Sequence, residues 1–464
     1  MNVDHHAVAV AHAQGGRWAE AAAAASSGLV TQPQHPGLLA IKAVALLQLK
    51  QFGAAEPLFQ AALAQQPANP EFHNNYGVLL RATERLHESY AEFATAVALK
   101  PRYKEALKNL AFMAWQVGHY KQALSSFATY VALNPVDKPV YFHMAELALG
   151  LGNLRDGWRL YQMRPNKAER AQHFHTPDLV YPLPPLPERL DGQTAVLLPE
   201  QGLGDIVFFL RYAPMLKARG AKVGYGAAPN IARFVGEAES IDEVLDSKTV
   251  VPYLGKPYTF FSGDLPFLTA EDDSYPPSLR FSPLPERVAA ARAHLAQLGP
   301  PPYVGVNWRA GVKSAADDNL LYKSLPAKAL GEALRGIEAT VVSLQRLPQD
   351  GEHAEFESGI GRSIPDLSSV QADLETLMGY LAVIDEIVGV SSTSVHLRAA
   401  MGLDAKVLFV TPTEWRWLLE GDTSPWFPDC KVYRAHRPAL REPALANLQR
   451  DLAISVAEHR KRYG

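Results

Sequence analysis

The chain has 464 residues, 47% of them hydrophobic, a formal net charge of −3 and one cysteine, Cys430. That length predicts two or three domains with sizeable cores. The charge excludes a nucleic-acid binder working through bulk basic charge, and a lone cysteine excludes an internal disulfide, so a reducing, cytoplasmic location is expected.

The start, "MNVDHHAVAVAHAQGG", has no basic n-region and no apolar signal core. No run approaches the roughly 18 apolar residues of a membrane helix, so no membrane span is expected. Pro33, Pro67, Pro101 and Pro135 follow one another at a 34-residue step. Trp18, Phe52, Leu86, Tyr120 and Leu154 keep the same step. Such a period predicts a stack of two-helix repeats over residues 1–164. In "EFHNNYGVLLRATERLHESYAEFATAVALKP" two amphipathic helices are expected, ended by a proline that cannot continue the hydrogen-bond ladder. Tyr76, Gly77, Ser89, Phe93, Ala96 and Pro101 resemble the signature of a tetratricopeptide repeat. The first unit is irregular, with Gly28 in a place usual for alanine. Most apolar positions read as core. Asn74, Asn75, Lys108, Asn109 and His143 are candidates for a concave surface that takes an extended protein segment, and each also reads as a solvated polar residue.

Residues 165–193 hold five prolines after Pro165, so an extended connector rather than a helix is expected there. Beyond it the rhythm becomes an α/β alternation. Strands are expected at "TAVLLP", "KVGYGA", "IDEVLD", "YVGVNW", "ATVVSLQ", "IDEIVGV" and "AKVLFV", with helices between them. Proline-rich sequence at 276–285 divides this half into lobes at 194–285 and 286–464. Ligands of such sheets bind beyond the carboxyl ends of the strands.

The loops there carry the chemistry. In "PEQGLGD", Gly202 and Gly204 open the backbone to close approach, and Asp205 falls in a first helical turn. It reads either as an acid favoured by the helix dipole or as a general base. In "GVSSTSVH", Ser391, Ser392, Thr393 and Ser394 precede His396, a seat for a diphosphate or ordinary capping beside a structural histidine. In "NWRAGVK", Arg309 and Lys313 are cations for a leaving pyrophosphate or solvated side chains. No D-x-D, paired histidine site or G-x-S-x-G is present, so no metal is expected.

Together, "EQGLGDIVFFLRYAP", "VGVNWRAG", "VVSLQ", "SSTSVHLRAAMG" and "TEWRWLLEGDTSPWFP" resemble bacterial GT-B glycosyltransferases of the heptosyltransferase and O-GlcNAc-transferase-like kind, fused to a tetratricopeptide (TPR) array. The resemblance implies a TPR solenoid followed by two Rossmann-like lobes, α + α/β in class. It implies inverting, metal-independent transfer from a nucleotide sugar, the donor being a substrate and no cofactor being needed. Asp205 matches the proposed base, Arg309 and Lys313 fall near phosphate-contacting cations, and Thr393 and His396 match the diphosphate turn. Ser392 stands where that turn usually has an acid, and Gln345 falls near the nucleotide base. Trp415, Arg416, Trp417 and Trp426 match an aromatic segment expected to pack. The array would recruit a protein acceptor, flagellin in some relatives. An inactive scaffold and a glycan-modifying transferase are the alternatives.

Overall fold

The computed structural model describes residues 4–174, 183–200, 202–269, 274–310, 323–410, 414–435 and 441–463. The chain forms two compact units, Met1–Val140 and Tyr141–Gly464.

The first unit is helical repeats: α1 (His5–Gln14), α2 (Trp18–Thr31), α3 (Pro36–Gln48), α4 (Phe52–Gln65), α5 (Pro70–Ala82), α6 (Leu86–Leu99), α7 (Lys104–Gln116) and α8 (Tyr120–Leu133). The small residues between paired helices have a direct cause. A Cβ on Gly77 would stand 2.7 Å from the Phe93 ring, which is fully buried. Ser89 Oγ donates to the Gly77 carbonyl at 2.7 Å, closing α6 onto α5. Gly28 is explained the same way, since a Cβ there would lie 2.7 Å from Leu38 Cδ1. Prolines open α3 and α5 in the first turn, where the missing N–H costs nothing.

Helix α9 (Lys138–Gly150) contains the boundary between the units, and α10 (Leu154–Tyr161) lies wholly in the second. The fifth repeat therefore packs with the α/β body, a different division from the one expected at residue 164. The cause is aromatic. Trp158 makes edge-to-face contacts with Phe209, Tyr212, Trp415 and Trp426. The expected extended connector also begins as a helix, α11 (Asn166–His173). Its residues are helix formers, and the prolines cluster only from Pro177 onward.

Two parallel sheets follow. After β1 (Thr194–Leu198) come α12 (Leu203–Phe209), α13 (Ala213–Ala218), β2 (Lys222–Gly226), α14 (Pro229–Gly236), β3 (Glu243–Leu245), β4 (Thr259–Phe261) and α15 (Leu265–Thr269). The strand order is β3-β2-β1-β4. A single 3-10 turn, Leu210–Tyr212, separates α12 from α13, because Pro214 has no N–H to continue the ladder. The second lobe has α16 (Pro285–Leu298), β5 (Tyr303–Asn307), α17 (Ala327–Ala333), β6 (Thr340–Ser343), α18 (Glu352–Ile360), α19 (Leu374–Val383), β7 (Glu386–Val390), α20 (Thr393–Ala400), β8 (Lys406–Val410), β9 (Lys431–Ala435) and α21 (Arg441–Tyr463). Its order is β6-β5-β7-β8-β9, all parallel.

Both faces of this second sheet are covered, as parallel sheets require. Ile387 and Val407 face one core, shared with the aromatic cluster. Val388 and Leu408 face another, closed by Leu448, Leu452 and Val456 of α21. The seven strands expected from sequence all form; β4 and β9 are additional. Among the described residues no helix is long and apolar enough to cross a membrane.

Candidate functional site

Strand β1 delivers the chain to Pro199 and Glu200, and Gly202 then caps α12. Gly202 is extended at φ −106°, so its purpose is not a left-handed turn. A Cβ there would stand 3.0 Å from Asp205 Oδ2. A Cβ on Gly204 would stand 3.0 Å from His396 Cδ2. One glycine makes room for the Asp205 carboxylate; the other lets α12 approach α20. The two loops singled out in the sequence, one from each lobe, thus meet.

Asp205 is the open member of the group, with its side chain 35% exposed. Arg416 Nη2 donates to Asp205 Oδ1 at 2.5 Å, and Arg416 Nη1 donates to Glu414 Oε1. Glu414 Oε2 receives Lys323 Nζ at 2.7 Å and Ser391 Oγ at 2.9 Å. Ser391 Oγ accepts from Trp417 Nε1 at 3.0 Å and lies 3.4 Å from His396 Nε2. Burial alone would raise the Glu414 carboxyl, but the Lys323 and Arg416 charges outweigh it and hold the group well below the usual carboxylate range. Burial opposes the Arg416 charge, and Asp205 and Glu414 more than restore it, raising the guanidinium above its ordinary value. Burial pushes His396 down to about 3, so its imidazole is neutral at pH 7.

At the start of α20, Ser392 occupies the cap position in extended geometry but its side chain makes no capping bond. Ser392 Oγ and His396 Nδ1 are shielded from solvent and have no partner among the described residues. Thr393 opens the helix and is half-buried, while Ser394 Oγ accepts from Gln371 Nε2 at 3.1 Å. Two unpaired polar atoms therefore sit beside the free first-turn amides of a helix, next to a neutral imidazole.

Arg309 and Gln345 gather elsewhere. Gln345 Oε1 accepts the amides of Trp308 and Arg309 at 3.0 and 2.9 Å, and its Nε2 donates to the carbonyls of Arg309 and Arg346. It clamps the backbone beyond β5, with its polar atoms engaged. The Arg309 guanidinium is held by Glu352 at 3.0 Å and by the Leu347 carbonyl at 2.8 Å. Partners within the lobe thus engage both side chains that the resemblance places near the base and phosphates. Lys313 lies outside the described residues. Among the described residues, Lys323 and Arg416 are cations joined through Glu414 to Ser391, just before α20.

In the first unit, Asn109 Nδ2 donates to Asn74 Oδ1 at 2.9 Å, joining α7 to α5, and Asn75 stands next to Asn74. Asn74 is buried, so it serves this ladder rather than a solvent-facing surface. Lys108 pairs with Asp137 at 2.8 Å. His143 falls in the second unit, 3.3 Å from Glu146.

Sequence reasoning missed several charged residues. Arg164 bridges Glu200 at 2.8 Å and Asp264 at 2.7 Å, and Lys167 reaches Asp264 at 3.0 Å, all four buried. Glu414 and Lys323 were also missed, and Arg416 was read as packing. For Glu414 and Arg416 the available signal was "TEWRW", an acid and a base alternating with tryptophans, since buried charges occur almost only when paired. The tryptophans do pack, with Trp417 stacked on Phe427 at 4.6 Å.

The tetratricopeptide repeat family model matches residues 42–104. A curated relative, protein FlbA of Caulobacter vibrioides (strain ATCC 19089 / CIP 103742 / CB 15), is 26% identical over 332 residues, covering 66% of this chain and 54% of FlbA. The matched region thus spans about half the length of that relative. Similar solved structures include MamA, at 14% identity over 37% of this chain and 99% of that one, with a TM-score of 0.33. Pseudomonas aeruginosa pilF is 21% identical over 38% of this chain and 85% of that one, also at 0.33. The N-terminal region is a TPR array, and repeats of this kind are protein-interaction elements; an α/β region with parallel sheets follows it.

Proposed function

We propose that the chain is a metal-independent, inverting GT-B glycosyltransferase that moves a sugar from a nucleotide sugar to a protein held by the TPR array. The observation that carries this reading is the meeting of two loops. An open carboxylate, Asp205, lies on the helix that approaches a helix start where, among the described residues, Ser392 Oγ and His396 Nδ1 lack partners. The nucleoside diphosphate would take the α20 amides and the Ser392 hydroxyl, with Arg416 and Lys323 as the cations. An acceptor hydroxyl attacks the anomeric carbon, its proton passes to Asp205, and the diphosphate leaves with the electron pair of the broken C–O bond. A flagellin-like protein is one acceptor consistent with this reading; a glycan acceptor would leave the array unused.

A second reading has its own observation. Arg416 already occupies one oxygen of Asp205, as expected if the domain were an inactive partner of a TPR scaffold. One experiment separates the two. A thermal-shift screen of the full chain against UDP-, GDP-, ADP-, dTDP- and CMP-sugars identifies the donor, because a bound ligand stabilises the folded state. Asp205→Asn should then bind that donor like the parent and transfer roughly 10²–10⁴-fold more slowly in a single turnover. Parent-like transfer would return Asp205 to the role of a first-turn helix acid. No stabilising donor would favour the scaffold.

A further inference from the structure

Four charges form one line across the lobes, from Asp205 to Arg416, Glu414 and Lys323. Its ends are open: the side chains of Asp205 and Lys323 are 35% and 33% exposed. Its middle is closed, with Arg416 and Glu414 at 8% and 4%. The line alternates in sign and sums to zero. Each buried member divides its attraction between two neighbours, so a change at one end is felt at the other. Arg416 has a choice of carboxylates, and Glu414 has a choice of cations.

We propose that Arg416 is the positioning residue for the Asp205 carboxylate, and that Lys323 sets how firmly Arg416 holds it. This rests on the transferase reading only for the use of Asp205; the charge line itself does not depend on it. When the Lys323 ammonium is neutralised, by an anionic diphosphate or by substitution, Glu414 must satisfy itself from Arg416. Arg416 then leans toward Glu414 and loosens Asp205. When Glu414 is removed, Arg416 belongs to Asp205 alone and tightens on it. Ser391 and Trp417 limit how far Glu414 can follow, because Ser391 Oγ bridges them. Among the described residues, other ionisable groups near the line include His396, which lies against Gly204 and is held neutral by burial, Arg211, which interacts with Arg416, and Tyr161 and Glu146, which interact electrostatically with Asp205 and Glu414 respectively. In the cycle, the donor would therefore free the base as it binds, and an empty site would keep it occupied.

The test reads Asp205 directly and needs no turnover. The full-length protein is treated with a water-soluble carbodiimide and glycine ethyl ester, and labelling of the Asp205 peptide is followed by mass spectrometry. An ion-paired carboxylate reacts slowly and a released one reacts faster. Lys323→Met should raise the Asp205 labelling rate by roughly two- to fivefold, the scale of a partly exposed ion pair. Glu414→Gln should lower it by a similar factor. Arg416→Met should give the fastest labelling, and Arg416→Lys should return it toward the parent rate. Inorganic pyrophosphate at saturation should act on the parent like Lys323→Met and have no effect on Lys323→Met itself. Mere loosening of the fold would speed labelling in every variant. Opposite signs for Lys323→Met and Glu414→Gln are therefore the signature of the charge line, and equal signs or parent-like rates in both would overturn it. Should Arg416→Met fail to fold, the pair at Lys323 and Glu414 still decides the matter. Failure of every nucleotide sugar to bind would strike the transferase reading and leave this pattern standing.

Discussion

Replacing Trp158 with alanine tests where the α/β body begins. The residue lies on α10, before the expected boundary at 164, yet it is 3% exposed inside the core of the second unit. Its ring centroid lies 5.2 Å from Trp415 and within 6.3 Å of Tyr161, Phe209, Tyr212 and Trp426. Truncating a buried tryptophan to alanine costs about 3–5 kcal/mol. One correction runs the other way. Trp158 Nε1 is buried with no partner, and removing an unsatisfied donor returns about 1 kcal/mol or more. The net loss should be about 2–4 kcal/mol. Trp158→Phe keeps one aromatic ring and discards the unpaired N–H, so it should cost only about 1 kcal/mol. Urea unfolding of the full chain reads both, with near-UV circular dichroism following the tryptophan-rich second unit and far-UV signal following the repeats. The transition of Tyr141–Gly464 should move to lower urea, and that of Met1–Val140 should not. A loss below about 1 kcal/mol for the alanine variant, or an equal shift in both transitions, would refute the assignment of α10 to the α/β body.

Two further outcomes follow from the same structure. A chain starting at residue 141 should fold and bind nucleotide but lose transfer to a protein acceptor, whereas one starting at 165 should be insoluble, since it lacks Leu149, Leu154, Trp158 and Tyr161 of the core; soluble, nucleotide-binding protein from the shorter form, read by the thermal-shift screen, would contradict this. His396 is buried with its folded pKa lowered to about 3, below the ordinary value of about 6.5, so the unfolded state takes up the proton first and stability is lost as pH falls from about 6.5 toward about 3. Between pH 7 and pH 5 the loss should be about 2 kcal/mol, and it should be absent from His396→Gln; taking the difference between the two proteins removes Glu146, whose carboxyl is raised by burial and contributes with the opposite sign.

The sequence showed the repeats and the strands plainly, and for one reason. Both are periodic, and periodicity survives without knowledge of partners: the 34-residue step marks the helix pairs, and continuous aliphatic runs such as "YVGVN" mark buried parallel strands. Strand β4, with three residues in "TFF", was too short to show a pattern, and β9, in "KVYRA", carries cations in a strand that is buried only in part. The glycine loop and the α20 turn were found as separate motifs. That they touch could not be read, because the contact joins Gly204 to His396 across nearly two hundred positions. For Arg309 the pairing was not legible. Its place after β5 suggested a ligand contact or a solvated side chain, and Glu352, with which it pairs, lies in α18, a helix that the sequence reading did not anticipate.

What remains is the question of why polar atoms are left unpaired at all. A buried donor or acceptor without a partner costs about 1–3 kcal/mol, so each needs a cause. Several in this chain are indole or phenol groups at the edges of aromatic packing, as with Trp158 Nε1 and Tyr212 Oη. Arg164 Nε and Asp264 Oδ2 sit within a set of four charges that is neutral as a whole and closed to solvent. Ser392 Oγ, His396 Nδ1 and Arg416 Nε differ from both groups. They belong to residues linked through Ser391 and Glu414, beside an exposed carboxylate and the free amides of a helix start. A hydrophobic residue at 396 would remove the unpaired nitrogen and pack as well against Phe427, whose ring lies 5.3 Å away. Keeping a neutral imidazole there forgoes that stability, which a hydrogen-bond donor of a bound ligand would return on the transferase reading. On the transferase reading, an anionic oxygen accepting from the Ser392 hydroxyl and from the α20 amides would restore bonds there and pair with Lys323 at the far end of the charge line. The same binding event would draw Lys323 from Glu414 and so loosen Arg416 from Asp205, releasing the carboxylate that the transferase reading uses as its base.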